Sequence, residues 1–382
     1  MAKLFRVTTV PISVEKLLGK QLTFMNQFFD VTAISADQEY LERVGKELGV
    51  KTHTIEMTRK ITPIQDLRSL WEMYSYFKGE KPEIVHTHTP KAGLIGMMAA
   101  KLAGVKIRLH TVAGLPLMEA TGNKRKVLNF VEKLTYGCAT KVYPNSQGLY
   151  DFILKEKLGK PEKIEVIGNG SSNGIDVSHF DPALFSDEAN QTLKQQLGIS
   201  KDDFVFVFVG RLVKDKGINE LINAFKTLQL SNPQPLKLLL LGPLEQDLDP
   251  LSQDVLDEIE KNENIISVGF QKDVRPYFAI SNCLAFPSYR EGFPNVVLQA
   301  LAMGIPALVS NINGCNEIVK ENYNGLIFPP KDESSLLDSM EKILKNDLYN
   351  DIQAVSRSSI MIYRQEVIWE LLKENYDKLM IS

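Results

Sequence analysis

A chain of 382 residues, 44% apolar and 24% charged, is too long for one average domain and has the composition of a folded two-domain protein. Its three cysteines, Cys138, Cys283 and Cys315, lie far apart, which argues against a disulfide framework or a zinc site and for a reducing, cytoplasmic setting. The net charge of −3 conceals 25 Lys+Arg against 18 Asp+Glu in residues 1–180 and 19 against 29 in the remainder. Two surfaces with different partners and a chance spread of solvated charges both fit that asymmetry. There is no run of about 18 apolar residues and no leader-like start at Met1-Ala2-Lys3, so neither a membrane span nor export is expected.

From the amino end, short apolar strands alternate with amphipathic helices. The strands are expected at 4–10, 31–35, 52–55, 83–88, 107–112, 141–145 and 164–167. Between them, Leu67, Leu70, Trp71, Tyr74 and Phe77 share one helical face, as do Val127, Phe130, Val131 and Leu134. Such alternation means parallel βαβ units and a doubly wound sheet. Residues 168–174, rich in Gly, Ser and Asn, then break the pattern as a loop or hinge. The alternation restarts with the continuous apolar strand 204–209, followed by a helix carrying Ile218, Leu221, Ile222, Phe225 and Leu228 on one face. Further strands are expected at 238–241, 265–270, 283–287 and 306–309. Two helices close the chain, the last over about 364–380 with Val367, Leu371 and Tyr376 among its apolar positions. The expected fold is α/β, with two similar domains facing each other across a cleft.

Two motifs in the second half carry chemistry. Gly210-Arg211-Leu212-Val213-Lys214-Asp215-Lys216-Gly217 follows a strand and opens a helix, so Arg211 and Lys216 flank a turn suited to a diphosphate. Its spacing fits neither a P-loop nor a dinucleotide fingerprint. The stretch from Ser288 to Gly304 likewise follows a strand. Glu291 is expected on the loop, Asn295 as the N-cap of a helix buried through Val296, Val297, Ala300 and Leu301, and Gly304 as its stop.

Together, Gly210-Arg211-Leu212…Lys216-Gly217 and Glu291-Gly292-Phe293-Pro294…Gln299-Ala300 resemble the large retaining nucleotide-sugar glycosyltransferase family of GT-B fold (family four, the group 1 type). The resemblance covers nearly the whole chain and includes His86-Thr87-His88-Thr89-Pro90-Lys91, Asn173-Gly174-Ile175-Asp176…Phe180-Asp181-Pro182 and Asn324-Gly325-Leu326-Ile327. It implies two Rossmann-like domains. The first, acceptor-side domain would be 1–174 plus a closing helix at about 360–382 that crosses back to it; the nucleotide-sugar domain would be 175–359. It also implies transfer of a sugar from a UDP-sugar to a saccharide on a polyprenyl-diphosphate lipid, in capsule, O-antigen or related surface-polysaccharide synthesis.

Carried over by position, Arg211 and Lys216 would bind the donor diphosphate, and Glu291 would be the catalytic residue at the donor sugar. The loop Gly292, Phe293, Pro294, Asn295 and Val296 would receive sugar and phosphates through its free amides, Pro294 having none to give. Gln299 would bind the ribose where the family has a second Glu, so no two-carboxylate mechanism operates at that pair. Ala113 stands where the family has a His, and Pro11-Ile12-Ser13 replaces its double-glycine loop. The implied chemistry needs no metal or other cofactor: the protein neutralises charge on the leaving diphosphate and holds the two reactants.

Other features bear on partners. His86 and His88 point to one face at the carboxyl end of a strand, and with Lys91 and His110 they are expected to contact the acceptor. Asp247-Leu248-Asp249 has the D-x-D spacing of a metal site but stands in a turn-like segment, so none is expected there. Lys124-Arg125-Lys126 ahead of the apolar face at Val127 fits either the inner face of the cell membrane or a solvated helix start. A cytoplasmic chain, peripheral on that membrane and without a nucleic-acid partner, is expected. A sugar-nucleotide epimerase or hydrolase of the same fold, and a non-catalytic nucleotide-sugar-binding subunit, are the alternatives.

Overall fold

A computed structural model of the chain describes residues 1–118, 120–247 and 249–381. The chain divides into two compact units. One is Met1–Gly174 joined by the closing helix from Gln365; the other is Ile175–Arg364. Residues 360–364, placed with the first domain by the sequence, thus belong to the second.

The first unit holds a parallel sheet of β1 (Lys3–Val7), β2 (Asp30–Ser35), β3 (Lys51–Thr54), β4 (Ile84–His88), β5 (Ile107–Val112) and β6 (Lys141–Pro144), in the order 3-2-1-4-5-6. The expected strand at 164–167 does not form; Ile164 makes only an isolated bridge to Val142, since the charged Glu165 interrupts a run too short to pair. The second unit repeats the plan with β7 (Phe204–Val209), β8 (Leu236–Leu241), β9 (Ile265–Gly269), β10 (Cys283–Phe286), β11 (Ala307–Ser310) and β12 (Gly325–Phe328), in the order 12-11-10-7-8-9. In each unit the first strand therefore lies beside the fourth, where the winding reverses. Crevices at the carboxyl ends of such a pair are where open α/β sheets bind ligands.

The strands of the second sheet read as apolar runs because both faces are covered, and Phe204, Val205, Phe206, Val207 and Phe208 are all buried. In β1 the run Leu4-Phe5-Arg6-Val7 is equally buried, including the charged Arg6 at 0% exposure.

Two helix faces differ from expectation. In the helix Pro63–Glu80 the buried residues are Ser69, Met73 and Phe77, while Leu67 and Trp71 are 67% and 68% exposed. In the helix Gly122–Cys138, Glu132, Thr135, Tyr136 and Cys138 are buried, and Val127 and Phe130 are 52% and 67% exposed. Periodicity reveals an apolar stripe, not which side the sheet takes. Both helices pack beside the small-residue helix Pro90–Ala103, leaving these apolar residues on the outer side of one layer.

The closing helix, Gln365–Ile381, packs on the first unit with Ile368, Trp369, Leu372 and Tyr376 buried, while Val367 and Leu371 are half-buried. Trp369 Nε1 donates to Asn173 Oδ1 at 2.7 Å, and the Tyr376 hydroxyl lies 2.5 Å from His86 Nδ1.

Candidate active site

In the second unit, β7 runs into Gly210-Arg211-Leu212-Val213, a 3-10 turn Lys214–Lys216, and Gly217 at φ +71°, from which the helix Ile218–Ser231 departs. A Cβ at Gly217 would stand 2.1 Å from the Pro287 carbonyl oxygen, so the turn is pressed against the segment that follows β10. This contact brings Lys216 Nζ to 2.6 Å from Glu291 Oε1, with 15% and 19% of the two side chains exposed. Ser288 donates from Oγ to the same carboxylate oxygen at 3.0 Å. The two motifs thus meet in one charge pair at the switch point of β7 and β10.

Neighbouring groups, Asn313 and Gly314 among them outside any motif, hold this pair in place. Asn313 Nδ2 donates to the carbonyls of Glu291 and Gly292 at 3.1 and 2.8 Å. Gly314, at φ +75°, lies so close that a Cβ would be 2.4 Å from the Gly292 oxygen. Arg290 pairs with Asp215 at 2.9 Å, and the Asp215 amide donates to Asp249 Oδ2 at 2.6 Å. Arg211 is not in the Lys216–Glu291 pair; its Nη1 sits 3.1 Å from Glu245 Oε2, and it is more exposed than Lys216.

The helix after the loop is Asn295–Ala302. Pro294, not Asn295, is its N-cap, and no side chain caps it. Asn295 occupies the first helical position instead, because Pro294 already supplies the extended backbone from which the helix turns. Phe293 is packed on Tyr363, ring centroids 5.4 Å apart, and Pro294 is buried. Asn295, Val296 and Gln299 fall on the side that the core leaves uncovered. The first-turn amides of Asn295 and Val296 have no helical acceptor and carry the partial positive charge of the helix start.

The four acceptor-side residues of the first unit do not form one surface. His86 is 1% exposed and its ring bridges the hydroxyls of Tyr376 and Thr111, at 2.5 and 2.8 Å; it fastens the closing helix. Burial pushes its pKa well down, with His88 and Arg6 adding to the effect. His110, also buried, meets the Thr87 hydroxyl through Nδ1 at 2.8 Å, and burial pushes it down to about 4. Lys91 turns away to Asp66 at 2.6 Å. These three are occupied by structural partners, which strand alternation could not reveal. His88 and His110 both line a cavity of about 140 Å³, with Thr89, Thr111, Ala113 and Glu132; His88 differs in that its Nε2 faces the guanidinium of Arg6 rather than a hydroxyl.

Glu132 was missed by sequence because it falls between apolar residues of a helix. Burial raises its carboxyl pKa to about 7, and nearby Tyr136 draws it part of the way back without meeting hydrogen-bond geometry.

Among the described residues no group of three or more His, Cys, Asp or Glu is placed to hold a metal ion. Asp249 of the D-x-D is engaged with Asp215, and Leu248 lies outside the described residues. Also among the described residues, no helix is long and apolar enough to cross a membrane.

Residues 189–358 match the family described as glycosyl transferases group 1, and residues 23–170 match a glycosyl transferase 4-like domain. The chain is 34% identical over 377 residues to the capsular polysaccharide biosynthesis glycosyltransferase CapM of Staphylococcus aureus, covering 98% of this chain and 97% of that one. It is 29% identical over 342 residues to the UDP-Gal:α-D-GlcNAc-diphosphoundecaprenol α-1,3-galactosyltransferase of Escherichia coli, covering 88% and 85%. Alr3699/HepE of Anabaena, solved with UDP and glucose, superposes with a TM-score of 0.80 over 99% of this chain and 100% of that one; at 17% identity this bears on the fold alone. With both halves matched and a 34% identical relative spanning its length, the chain belongs to the group 1 glycosyltransferases of GT-B fold.

Proposed function

We propose that this glycosyltransferase moves a sugar, with retention, from a UDP-sugar to a saccharide on a polyprenyl-diphosphate lipid during surface-polysaccharide synthesis. The observation that carries the reading is the Lys216–Glu291 pair at the switch point of the second unit. A cation beside a carboxylate, next to the open first turn at Asn295 and Val296, supports reading Lys216 as a diphosphate contact and Glu291 as a contact of the donor sugar. Arg211 adds a second cation from the same loop, and Gln299, one helical turn on, is left for the ribose. A UDP-sugar and a lipid diphosphate are supported by the Escherichia coli relative, whose name records an α-1,3 bond made from UDP-Gal on a diphosphoundecaprenol acceptor; retention rests on the family resemblance. Charge on the departing diphosphate is met by these cations and amides, so the reaction proceeds without a metal.

A peripheral position on the inner face of the cell membrane accords with such an acceptor. Ile64, Leu67 and Trp71 on one helix and Val127 and Phe130 on another are exposed, accompanied by exposed Arg68, Lys124, Lys126 and Lys133. An apolar stripe rimmed with Lys and Arg suits an anionic lipid surface.

The test is release of UDP from a panel of UDP-, GDP- and ADP-sugars, with and without a polyprenyl-diphosphate disaccharide and with EDTA in parallel. Acceptor-dependent turnover of a UDP-sugar alone, unaffected by EDTA and giving a product of retained anomeric configuration, is expected. Release that ignores the acceptor would favour a hydrolase, and loss in EDTA would overturn the metal-free step.

A further inference from the structure

The switch point of the first unit holds an unusual cation. Arg6, in β1, is fully buried and has no carboxylate partner among the described residues. Its Nη2 donates to Gln21 Oε1 at 2.6 Å. Its Nε and Nη2 both lie against His88 Nε2, at 3.2 and 3.0 Å, and its Nη1 has no partner among the described residues. A buried, unpaired guanidinium is costly to keep.

What it does to His88 follows from donor chemistry. A guanidinium only donates, so the Nε2 that faces it must offer a lone pair. His88 is held neutral by burial, reinforced by Arg6 and His110, which push its pKa well down. A neutral imidazole that accepts at Nε2 carries its proton on Nδ1. No described residue bonds Nδ1, and Arg6 is not among the walls of the 140 Å³ cavity that His88 lines. With Nε2 engaged by Arg6, Nδ1–H is the one polar group the His88 ring has left to offer. Glu132 lines the cavity too, as an acceptor. A fixed donor and a carboxyl together suit a sugar hydroxyl, which both gives and takes a hydrogen bond.

We propose that Arg6 is a positioning residue that locks His88 as the Nδ1–H tautomer, a standing donor to a saccharide hydroxyl of the acceptor in this cavity. The acceptor part rests on the transfer reading above; the tautomer part does not.

Two measurements separate them. In the full-length protein labelled with ¹⁵N-histidine, two-bond proton–nitrogen correlation at pH 7 should show His88 protonated at Nδ1 only. Arg6→Lys, also a pure donor, should keep that form, and Arg6→Met should give a mixed or Nε2–H ring. An imidazolium or Nε2–H ring in the native protein, or an unchanged ring in Arg6→Met, would overturn the lock. If Arg6→Met does not fold, the native spectrum and the Arg6→Lys spectrum still decide the tautomer.

In steady-state transfer, His88→Ala should raise the acceptor KM about tenfold with the donor KM unchanged. His88→Asn, whose amide replaces the Nδ1–H donor, should recover most of that loss. An Asn variant as poor as Ala, or an unmoved acceptor KM in both, would overturn the donor role. Absence of any acceptor-dependent turnover in the native enzyme would instead sink the transfer reading and leave the tautomer result standing.

Discussion

Removing the Glu291 carboxylate tests whether it serves the chemistry or merely builds the diphosphate site. Its pair with Lys216, at 2.6 Å, has a Coulomb attraction of about 6 kcal/mol at an effective dielectric of about 20. Desolvation and side-chain ordering offset most of this. With 15% and 19% of the side chains exposed, the pair stands between an exposed pair worth under about 1 kcal/mol and a buried one whose breakage costs about 3–5. A net of about 1–2 kcal/mol is the reasonable middle. In Glu291→Ala that energy no longer restrains Lys216, so free UDP should bind up to about 5–30-fold more tightly. Transfer, which needs the carboxylate at the sugar, should fall by about 10²–10³-fold. Calorimetric titration with UDP and a coupled UDP-release assay measure the two effects. A fall in UDP affinity that parallels the loss of transfer would make Glu291 a diphosphate-site residue, and near-native transfer would remove it from the reaction.

Three further outcomes are expected. Burial raises the Glu132 pKa from 4.5 to about 7, so its folded form favours the proton: no penalty exists below about pH 4.5, and the penalty grows until the pH passes about 7. Glu132→Gln should accordingly stabilise the chain by up to about 3 kcal/mol at pH 8 and by little at pH 4.5; equal effects in denaturant unfolding at the two pH values would refute this. Gly217→Ala combines a left-handed φ with a 2.1 Å approach to the Pro287 oxygen, so a loss of about 2 kcal/mol or more and weaker UDP binding should appear in melts with and without UDP. Replacing Trp71 and Phe130 together by Glu removes two exposed aromatic anchors, and should weaken binding to vesicles containing anionic phospholipid at least about tenfold in a flotation assay. Unchanged flotation would exclude this face from the membrane.

The parts of the molecule legible in sequence were those whose cause is local. Continuous apolar runs such as 204–209 gave strands because parallel sheets are covered on both faces, and the cluster of Gly, Ser and Asn before Ile175 marked where one unit ends. Lys216 and Glu291 were each visible as motif residues, but their meeting depends on how closely Gly217 approaches Pro287. Asn313, which holds the loop through the carbonyls of Glu291 and Gly292, carries no local signal, and Asp215, though inside a motif, gives no sign of its pairing with Arg290. The helix faces failed for another reason: Leu67–Trp71 and Val127–Phe130 are genuine apolar stripes, and periodicity is blind to a stripe turned outward. Arg6 did leave a trace, as a lone charge in the apolar run Leu4-Phe5-Arg6-Val7. A charge in a strand covered on both faces has to be satisfied by something, and asking what would have led to His88.

The two switch points treat positive charge in opposite ways, and the difference matches what each unit is proposed to bind. Lys216 is partly exposed and paired with a carboxylate at 2.6 Å, so its charge is available to an anion that offers a better partner, as a nucleoside diphosphate does. Arg6 is buried, has no carboxylate partner among the described residues and is spent on a neutral imidazole. It attracts no anion directly; it fixes the direction of one hydrogen bond. A donor substrate bears charge that must be neutralised as its bond breaks, whereas an acceptor hydroxyl is uncharged and needs orientation. In the proposed reading, the same topology, wound twice, supplies an exchangeable cation for the group that leaves and a locked hydrogen-bond donor for the group that attacks.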